Sequence, residues 1–454
     1  MEGKMALILS GETVYTKLER VAKMARQAPD MVFTSLSHHI DVEWLREAHR
    51  RTRKDGAPGV DGQTAEQYEH ELEENLQSLL DRAKSGTYRA PPVRRVQIPK
   101  GQGGETRPIG VPTYEDKVLQ RSVVMMLEAV YEQYFLDCSY GFRPKRSQHQ
   151  ALQALRNAVM DTRGGWILEI DIRKFFDTLD HQHIRQIVRQ RVRDGVLLRL
   201  ISKWLHAGVM EDGEISYPDE GTPQGGVVSP LLANIYLHHV LDEWFEREVK
   251  PRLRGKAQMI RYADDVVIVF EDEQDAHRVQ QVLPQRLGKY GLTLHPTKTR
   301  LVRFTRPPKG PPKDKKDTPA PGTFDMLGFT HYWGRSRKGN WVVKQRTAKD
   351  RLKRAIANIS AWCREHRHDP IRQQWHRLCE ILRGHDGYYG ITGNYRALKR
   401  VRQATRRVWR KWLGRRSNCA HMTWQRMAEL LERFPLPPAK IAHRYYLIAA
   451  RPYT

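Results

Sequence analysis

Met259–Phe270, MIRYADDVVIVF, places two adjacent carboxylates between two apolar runs. Apolar residues extend to Tyr262 and resume at Val266, so the stretch reads as a tight β-hairpin with Asp264 and Asp265 at its tip. Like charges side by side repel, and little in a strand–turn–strand unit requires them. Two readings follow: a solvated acidic turn, or a turn whose repulsion is offset by a bound cation. A third carboxylate and a phosphate-binding surface elsewhere in the chain select the second.

Trp166–Asp171, WILEID, supplies the third acid as the end of a buried strand. Asp180 is better placed to cap the helix that starts near His181, which leaves Asp171 without a capping role. Val93–Pro112 alternates as two strands around a glycine-rich turn and carries Arg94, Arg95, Lys100 and Arg107. It is either a basic surface hairpin or a grip for a triphosphate. In Ser139–Ser147, SYGFRPKRS, the cations Arg143, Lys145 and Arg146 are interleaved with aromatics, a mix suited to a nucleic-acid strand.

Gly221–Ser229, GTPQGGVVS, runs into a helix with Ser229 as cap and Pro230 in its first turn, and Gly225 and Gly226 allow a ligand backbone to approach. Leu232, Tyr236, Val240 and Trp244 recur at i+4 as core positions of that helix. Further helices are expected over Ile40–Thr52, Thr64–Lys84 with Thr64 as cap, Tyr114–Phe135 and Glu273–Lys289. Leu292–Phe304 reads as a strand pair with Lys298 near its turn, and the proline- and lysine-rich Thr305–Thr323 as a linker. Thr347–Gly384 and Asn394–Leu413 read as basic amphipathic helices, with Arg351, Lys353 and Arg354 facing outward.

The chain has 454 residues, enough for about three domains. Lys and Arg number 78 against 52 acidic residues, a net charge of +26, so a polyanion is the expected partner. No apolar run approaches the roughly 20 residues of a membrane span, and the N-terminus lacks the features of a signal or transit peptide, so a cytoplasmic protein is expected. Four scattered cysteines form no disulfide framework. Cys363 and Cys379 are expected on apolar helix faces rather than joined with His366 and His368 in a zinc site.

In order along the chain, IPKGQGGETRPIGVP, SYGFRP, EIDIRKFFD, GTPQGGVVSPLLANIYL, YADD, LHPTKT and FDMLGF resemble the sequence blocks of reverse transcriptases. With DGAPGVDG before them and GHDGYYG after, the likeness is to proteins encoded by bacterial group II introns, over about Asp41–Tyr446. The resemblance implies an α+β right-hand polymerase. Its domains would be an N-terminal extension (1–40), fingers (41–165), a palm with an antiparallel sheet (166–304 and 324–346) interrupted by the linker (305–323), and a helical thumb and maturase region (347–454). Asp171 resembles the first metal-binding aspartate and Asp264 the second, with Asp265 beside it and the Ile172 carbonyl adding a ligand. Two Mg²⁺ ions are implied, with Mn²⁺ as a substitute.

Phe176 stands where the family has its aromatic steric gate, Gln224 where a residue lines the nucleotide pocket, and Lys100 and Arg107 where the triphosphate is clasped. Lys298 corresponds to a proton donor for pyrophosphate. Nucleic-acid contacts are expected at Arg143, Lys145, Arg146, Gly225, Gly226, Arg351 and Arg354. The implied partners are an intron RNA template, a DNA or RNA primer and dNTPs, with no membrane and with a homodimer allowed. The implied function is RNA-directed DNA synthesis with binding of group II intron RNA in splicing and mobility. Two alternatives stay open: a freestanding enzyme of DNA repair or defence, or chiefly a splicing cofactor. The cysteine pairs and histidines of the family's C-terminal endonuclease are missing before Thr454, so second-strand cleavage is not expected.

Overall fold

The computed structural model describes residues 13–99, 106–211, 213–217, 221, 225–308, 322–417 and 421–444. Its strands are β1 (Val93–Pro99), β2 (Thr106–Val111), β3 (Trp166–Ile170), β4 (Val209–Glu211), β5 (Glu214–Ser216), β6 (Ala257–Tyr262), β7 (Asp265–Phe270), β8 (Arg300–Arg303), β9 (Phe324–Met326), β10 (Phe329–Arg335) and β11 (Trp341–Thr347).

The run VVIVF in β7 is apolar at every position because both faces of its sheet are covered. Val266, Ile268 and Phe270 face one core, built with Val279, Leu283 and Leu287 of the helix Glu273–Gly288. Val267 and Val269 face a second core, with Leu155 and Val159 of the helix Gln148–Asp161. The sheet has the order β6-β7-β3-β8 with antiparallel neighbours throughout. Burial of each of these side chains contributes on the order of 1.5–3 kcal/mol, so the sheet is anchored on both faces.

Before the sheet, β1 and β2 form the expected hairpin. It is extended by β4 and β5, from residues that follow β3 in sequence, into a sheet of order β2-β1-β4-β5. A third sheet, β11-β10-β9, covers the second core through Phe324, Trp333 and Val343. The C-terminal helices Lys349–Glu365, Ile371–Tyr389, Tyr395–Leu413 and Trp424–Arg433 pack around Leu378, Leu382, Trp409 and Met427. Cys363 and Cys379 are buried in that cluster, and removal from water pushes both thiols up. Among the described residues no helix is long and apolar enough to cross a membrane.

Several local expectations change. The helix anticipated over Thr64–Lys84 is two, Ala65–Glu69 and Leu72–Ser85, although Thr64 does cap the first in a reciprocal box with Gln67. Ser229 is not a cap: it is the first residue of its helix, after Val228. Leu292–Phe304 is not a strand pair; only β8 is a strand, and Leu294 contributes one isolated bridge to Ile172. Most of the linker, residues 309–321, lies outside the described residues.

His331 in β10 is fully buried and stacked on Phe324 at 4.6 Å. Desolvation pushes its pKa down to about 3. The folded state therefore holds it neutral while the unfolded chain takes up a proton below about 6.5, so its contribution to stability is lost as pH falls from 6.5 toward 3. We expect urea unfolding to show stability declining by about 1.4 kcal/mol per pH unit from this group below pH 6, and His331→Leu to flatten that slope.

Candidate active site

The β6–β7 hairpin pairs Tyr262 with Asp265, so the turn itself is Ala263–Asp264 and Asp265 already belongs to the strand. Ala263 lies in the left-handed region at φ +56°, which is uncommon for a residue with a side chain and has to be held by its surroundings. The pairing of β3 with β7 ends at Ile170 opposite Val266. Asp171 follows this last pair and so lies at the same end of the sheet as Asp265, the first residue of β7.

The turn is held from beneath by Arg261, which is fully buried. Its Nε and Nη2 donate to the two carboxylate oxygens of Asp242 at 2.7 and 2.6 Å. Nη1 donates to Asn234 Oδ1 at 2.9 Å and to the Ala263 carbonyl at 3.1 Å, and Nη2 also to Ser139 Oγ at 2.8 Å. Burial works against both charges, but their attraction holds the Asp242 carboxyl below its usual range and the guanidinium above its own. Asp242 reaches this position because the helix Ser229–Leu237 widens into π-helical turns at His238–Asp242 and Trp244–Val249, a local irregularity that recurs at functional sites.

The SYGFRP loop completes the clamp. Tyr140 donates its N–H to the Arg261 carbonyl at 2.8 Å, Asn234 Nδ2 donates to the Gly141 carbonyl at 2.7 Å, and a Cβ on Gly141 would collide with the Ala263 backbone.

Around the carboxylates lies a cavity of about 750 Å³, lined among others by Asp171, Asp265, Lys298, Arg300, Gly328 and Arg351. Loss of water contact raises the pKa of Asp264, with Asp171 adding to the rise and Arg107 opposing it. Asp265 is pushed up to about 6, by desolvation first and then by the charges of Asp264 and Asp171. Arg351 and Arg107 act in the opposite direction, so cations from β2 and from the helix Lys349–Glu365 both face the acids.

Lys298 Nζ stands 3.4 Å from Asp171 Oδ2. Ile172 is buried, and the hydrogen bonds beside it run from Arg173 N to Thr293 O and from His295 N to Asp171 O. Phe175 is core, whereas Phe176 is half-buried at 5.2 Å edge-on to it.

Among the described residues no three His, Cys, Asp or Glu side chains converge closely enough to hold a metal ion unaided. The donor chemistry nevertheless fits a hard cation: three carboxylates, two of them raised by mutual repulsion and dehydration, are what a divalent ion would stabilise in ionised form.

Other expectations are corrected. Arg143 does not face a strand of nucleic acid: it is buried, with Nε and Nη2 on Glu132 and Nη1 donating to the carbonyls of Leu136 and Ser139. Arg146 pairs with Asp137 at 2.6 Å and lies over the Tyr140 ring. Lys145 is exposed at φ +61°. Gly225 leaves no opening for a ligand, since a Cβ there would sit 2.5 Å from the Gly110 carbonyl oxygen of β2. Gly226 lines a one-water-sized gap beside Asp116. Arg351 and Arg354 share Asp350, at 3.5 and 3.9 Å. Lys100 and Gln224 lie outside the described residues.

Sequence reasoning missed Arg261, Asp242 and Asn234. A charged residue inside the apolar strand MIRY was a visible signal, since a buried charge needs a partner. It also missed Asp116, which accepts from Tyr88 Oη, from Trp204 Nε1 at 2.7 Å and from Gln120 Nε2 at 2.9 Å. Gln120 Oε1 in turn accepts the Val228 N–H at 3.1 Å and so anchors the turn before the helix Ser229–Leu237.

A sheet whose central strand ends present three opposed carboxylates to a cleft, flanked by a basic hairpin and a helical C-terminal unit, defines a polymerase palm. The family pattern of reverse transcriptase (RNA-dependent DNA polymerase) matches residues 98–331, and the chain belongs to that family. Its class of reaction is RNA-directed DNA synthesis on a nucleic-acid template and primer, with divalent metal ions generally in use.

Protein YkfC of Escherichia coli K12 is 38% identical over 260 residues, covering 50% of this chain and 68% of that protein. Group II intron-encoded protein LtrA of Lactococcus lactis is 36% identical over 247 residues, 52% of this chain but only 40% of LtrA. A 91 kDa protein in the cob intron of Schizosaccharomyces pombe is 31% identical over 239 residues, 29% of its length. The match thus spans less than half of either intron-associated relative.

Removing the guanidinium should separate stability from positioning. Arg261→Met leaves the Asp242 carboxylate buried without its guanidinium, with only the His238 ring 3.8 Å away, and the expected loss in urea unfolding is about 3–5 kcal/mol. The double change Arg261→Met with Asp242→Leu should regain most of that stability while primer extension stays low, because the Ala263 carbonyl still lacks its donor.

Proposed function

We propose that the protein is an RNA-directed DNA polymerase that extends a DNA or RNA primer with dNTPs at Asp171, Asp264 and Asp265. The observation that carries this reading is the set of three carboxylates at neighbouring strand ends, near enough that their charges raise the pKa of Asp265, in a cleft where Arg107 and Arg351 act against that rise.

Two Mg²⁺ ions bound there, with Mn²⁺ as a substitute, would lower the pKa of the primer 3′-hydroxyl and neutralise the triphosphate. Asp171, the Ile172 carbonyl, Asp264 and Asp265 would supply the oxygen ligands. The 3′-oxygen forms a bond to the α-phosphorus as the bond to the β-phosphate bridging oxygen breaks, and pyrophosphate leaves. Arg107 and Lys100, on either side of the glycine-rich turn in sequence, hold the triphosphate. Lys298, released from Asp171 once the carboxylates are otherwise neutralised, gives a proton to the departing pyrophosphate. Phe176 excludes a ribose 2′-hydroxyl, its backbone fixed against Gly221, whose missing Cβ would lie 3.0 Å from the Phe176 carbonyl oxygen. Gln224 completes the nucleotide pocket.

The domains of this reading are fingers over 41–165, a palm over 166–304 and 324–346, and a thumb from 347 onward. β4 and β5 join the fingers sheet from within the palm segment. The likeness to LtrA supports a second role, binding group II intron RNA in splicing and mobility, through basic residues that include Lys145 of the SYGFRPKRS loop and Arg351 and Arg354 of the first C-terminal helix.

On an RNA template with annealed primer, wild-type protein should make cDNA in Mg²⁺, and EDTA should abolish synthesis. Asp264→Ala should lower it by about a thousandfold or more, and Asp265→Ala should leave a trace; cDNA from Asp264→Ala at the wild-type level would remove the assignment. Phe176→Ala should raise ribonucleotide incorporation by about tenfold, the scale on which a pocket contact discriminates. Addition of protein should stimulate splicing of its intron at low Mg²⁺, and absence of stimulation would remove the maturase role while leaving the polymerase reading intact.

A further inference from the structure

The SYGFRP loop, residues 139–144, is pinned to the palm at nearly every position. Ser139 receives the Arg261 guanidinium, Tyr140 donates its N–H to the Arg261 carbonyl, the Gly141 carbonyl takes the Asn234 amide, and Arg143 makes its hydrogen bonds inside the protein. The exception is Phe142. Its ring is 55% exposed and forms no ring contact among the described residues. Its backbone sits in the left-handed region at φ +57°, a conformation that is a genuine outlier for a bulky residue. The next residue toward the N-terminus, Gly141, packs directly on Ala263 of the catalytic turn, so the Phe142 Cα is one residue, about 3.8 Å, from that contact.

An exposed aromatic in an unfavourable backbone conformation lowers stability twice, through strain and through apolar surface left in water. The surrounding loop is rigid enough to hold it there. The loop that carries the ring packs on the YADD turn through Gly141, the chain is strongly basic, and an exposed ring face is chemically suited to one kind of partner, a planar heterocycle. An unpaired nucleobase meets that description, because bases outside a duplex stack on aromatic side chains independently of sequence. Bases inside a duplex are already stacked and offer only their edges.

We propose that Phe142 is a stacking platform for an unpaired base of the RNA template beside the YADD turn. The inference rests on the polymerase reading and adds a template contact that no charged residue provides. Lys145, three residues on and exposed, supplies charge near the same strand.

The test measures binding of a short fluorescent single-stranded RNA to the full chain over a range of salt, and repeats it with the same RNA in a blunt duplex. Phe142→Ala should weaken single-strand binding about tenfold, equivalent to about 1.4 kcal/mol. The slope against log salt should not change, since no charge is removed. Duplex binding should stay within about twofold of wild type, and Phe142→Trp should restore single-strand affinity. Phe142→Gly should show the same loss of affinity together with a small rise in Tm, because glycine adopts the left-handed conformation freely.

Unchanged single-strand affinity in Phe142→Ala overturns the proposal. So does an equal loss on the duplex, or a lower salt slope. Failure of the underlying reading is separable, since wild-type protein would then extend no primer at all.

Discussion

Everything near the carboxylates depends on one buried ion pair. Arg261 and Asp242 are both fully withdrawn from water, and dehydrating two such charges costs several kcal/mol per ion. Bidentate geometry and hydrogen bonds to Asn234, Ser139 and Ala263 offset much of that cost. What the pair contributes is geometry more than net stability. It joins three segments distant in sequence: the strand before the turn, the π-helical bulge after Leu237, and the loop at Ser139–Gly141. The left-handed Ala263 persists because its carbonyl has a fixed donor and its other side is closed by Gly141.

On that clamp rests an electrostatic arrangement that is unfavourable by itself. Asp171 follows the last residue of β3 and Asp265 is the first of the neighbouring β7, with Asp264 one residue away, so all three acids lie at the same end of the sheet. Repulsion and loss of water raise the pKa of the hairpin acids, while Arg107 from the fingers hairpin and Arg351 from the first C-terminal helix act against the rise. Arg107 on β2, the hairpin acids and Arg351 on the first C-terminal helix therefore all set the charge of one cleft, and relative movement of the elements that carry them would alter the field at the acids. Asp116 and Gln120 add a second link of this kind, tying the turn at Val228 to the helix that follows the hairpin.

The corrected assignments share a physical cause. Arg143 and Gly225 have residue types suited to a ligand, and both are committed to the protein itself, one to Glu132 and two carbonyls, the other to the backbone of β2. A guanidinium or a missing Cβ serves a ligand and a neighbouring loop equally well, and composition does not distinguish them. Ser229 was misplaced because helix boundaries shift by a residue with tertiary context. The hairpin around Asp264 was legible, since apolar runs on both sides of two adjacent carboxylates leave the turn between them.

The sequence by itself determined the strand Trp166–Ile170, the hairpin and the candidate acids, because apolar runs and the placing of carboxylates at strand ends are local properties. It also determined the basic character of the chain and, through seven ordered blocks, the family. Only the tertiary structure decided that Asp171 and Asp265 line one cleft, that Arg261 is the base of the turn, that Arg351 faces the acids, and that Phe142 is the exposed side chain of a loop otherwise pinned to the sheet. Those facts depend on which distant segments share a surface, and hydrogen-bond partners more than a hundred residues apart, such as Ser139 and Arg261, leave no local pattern in the chain.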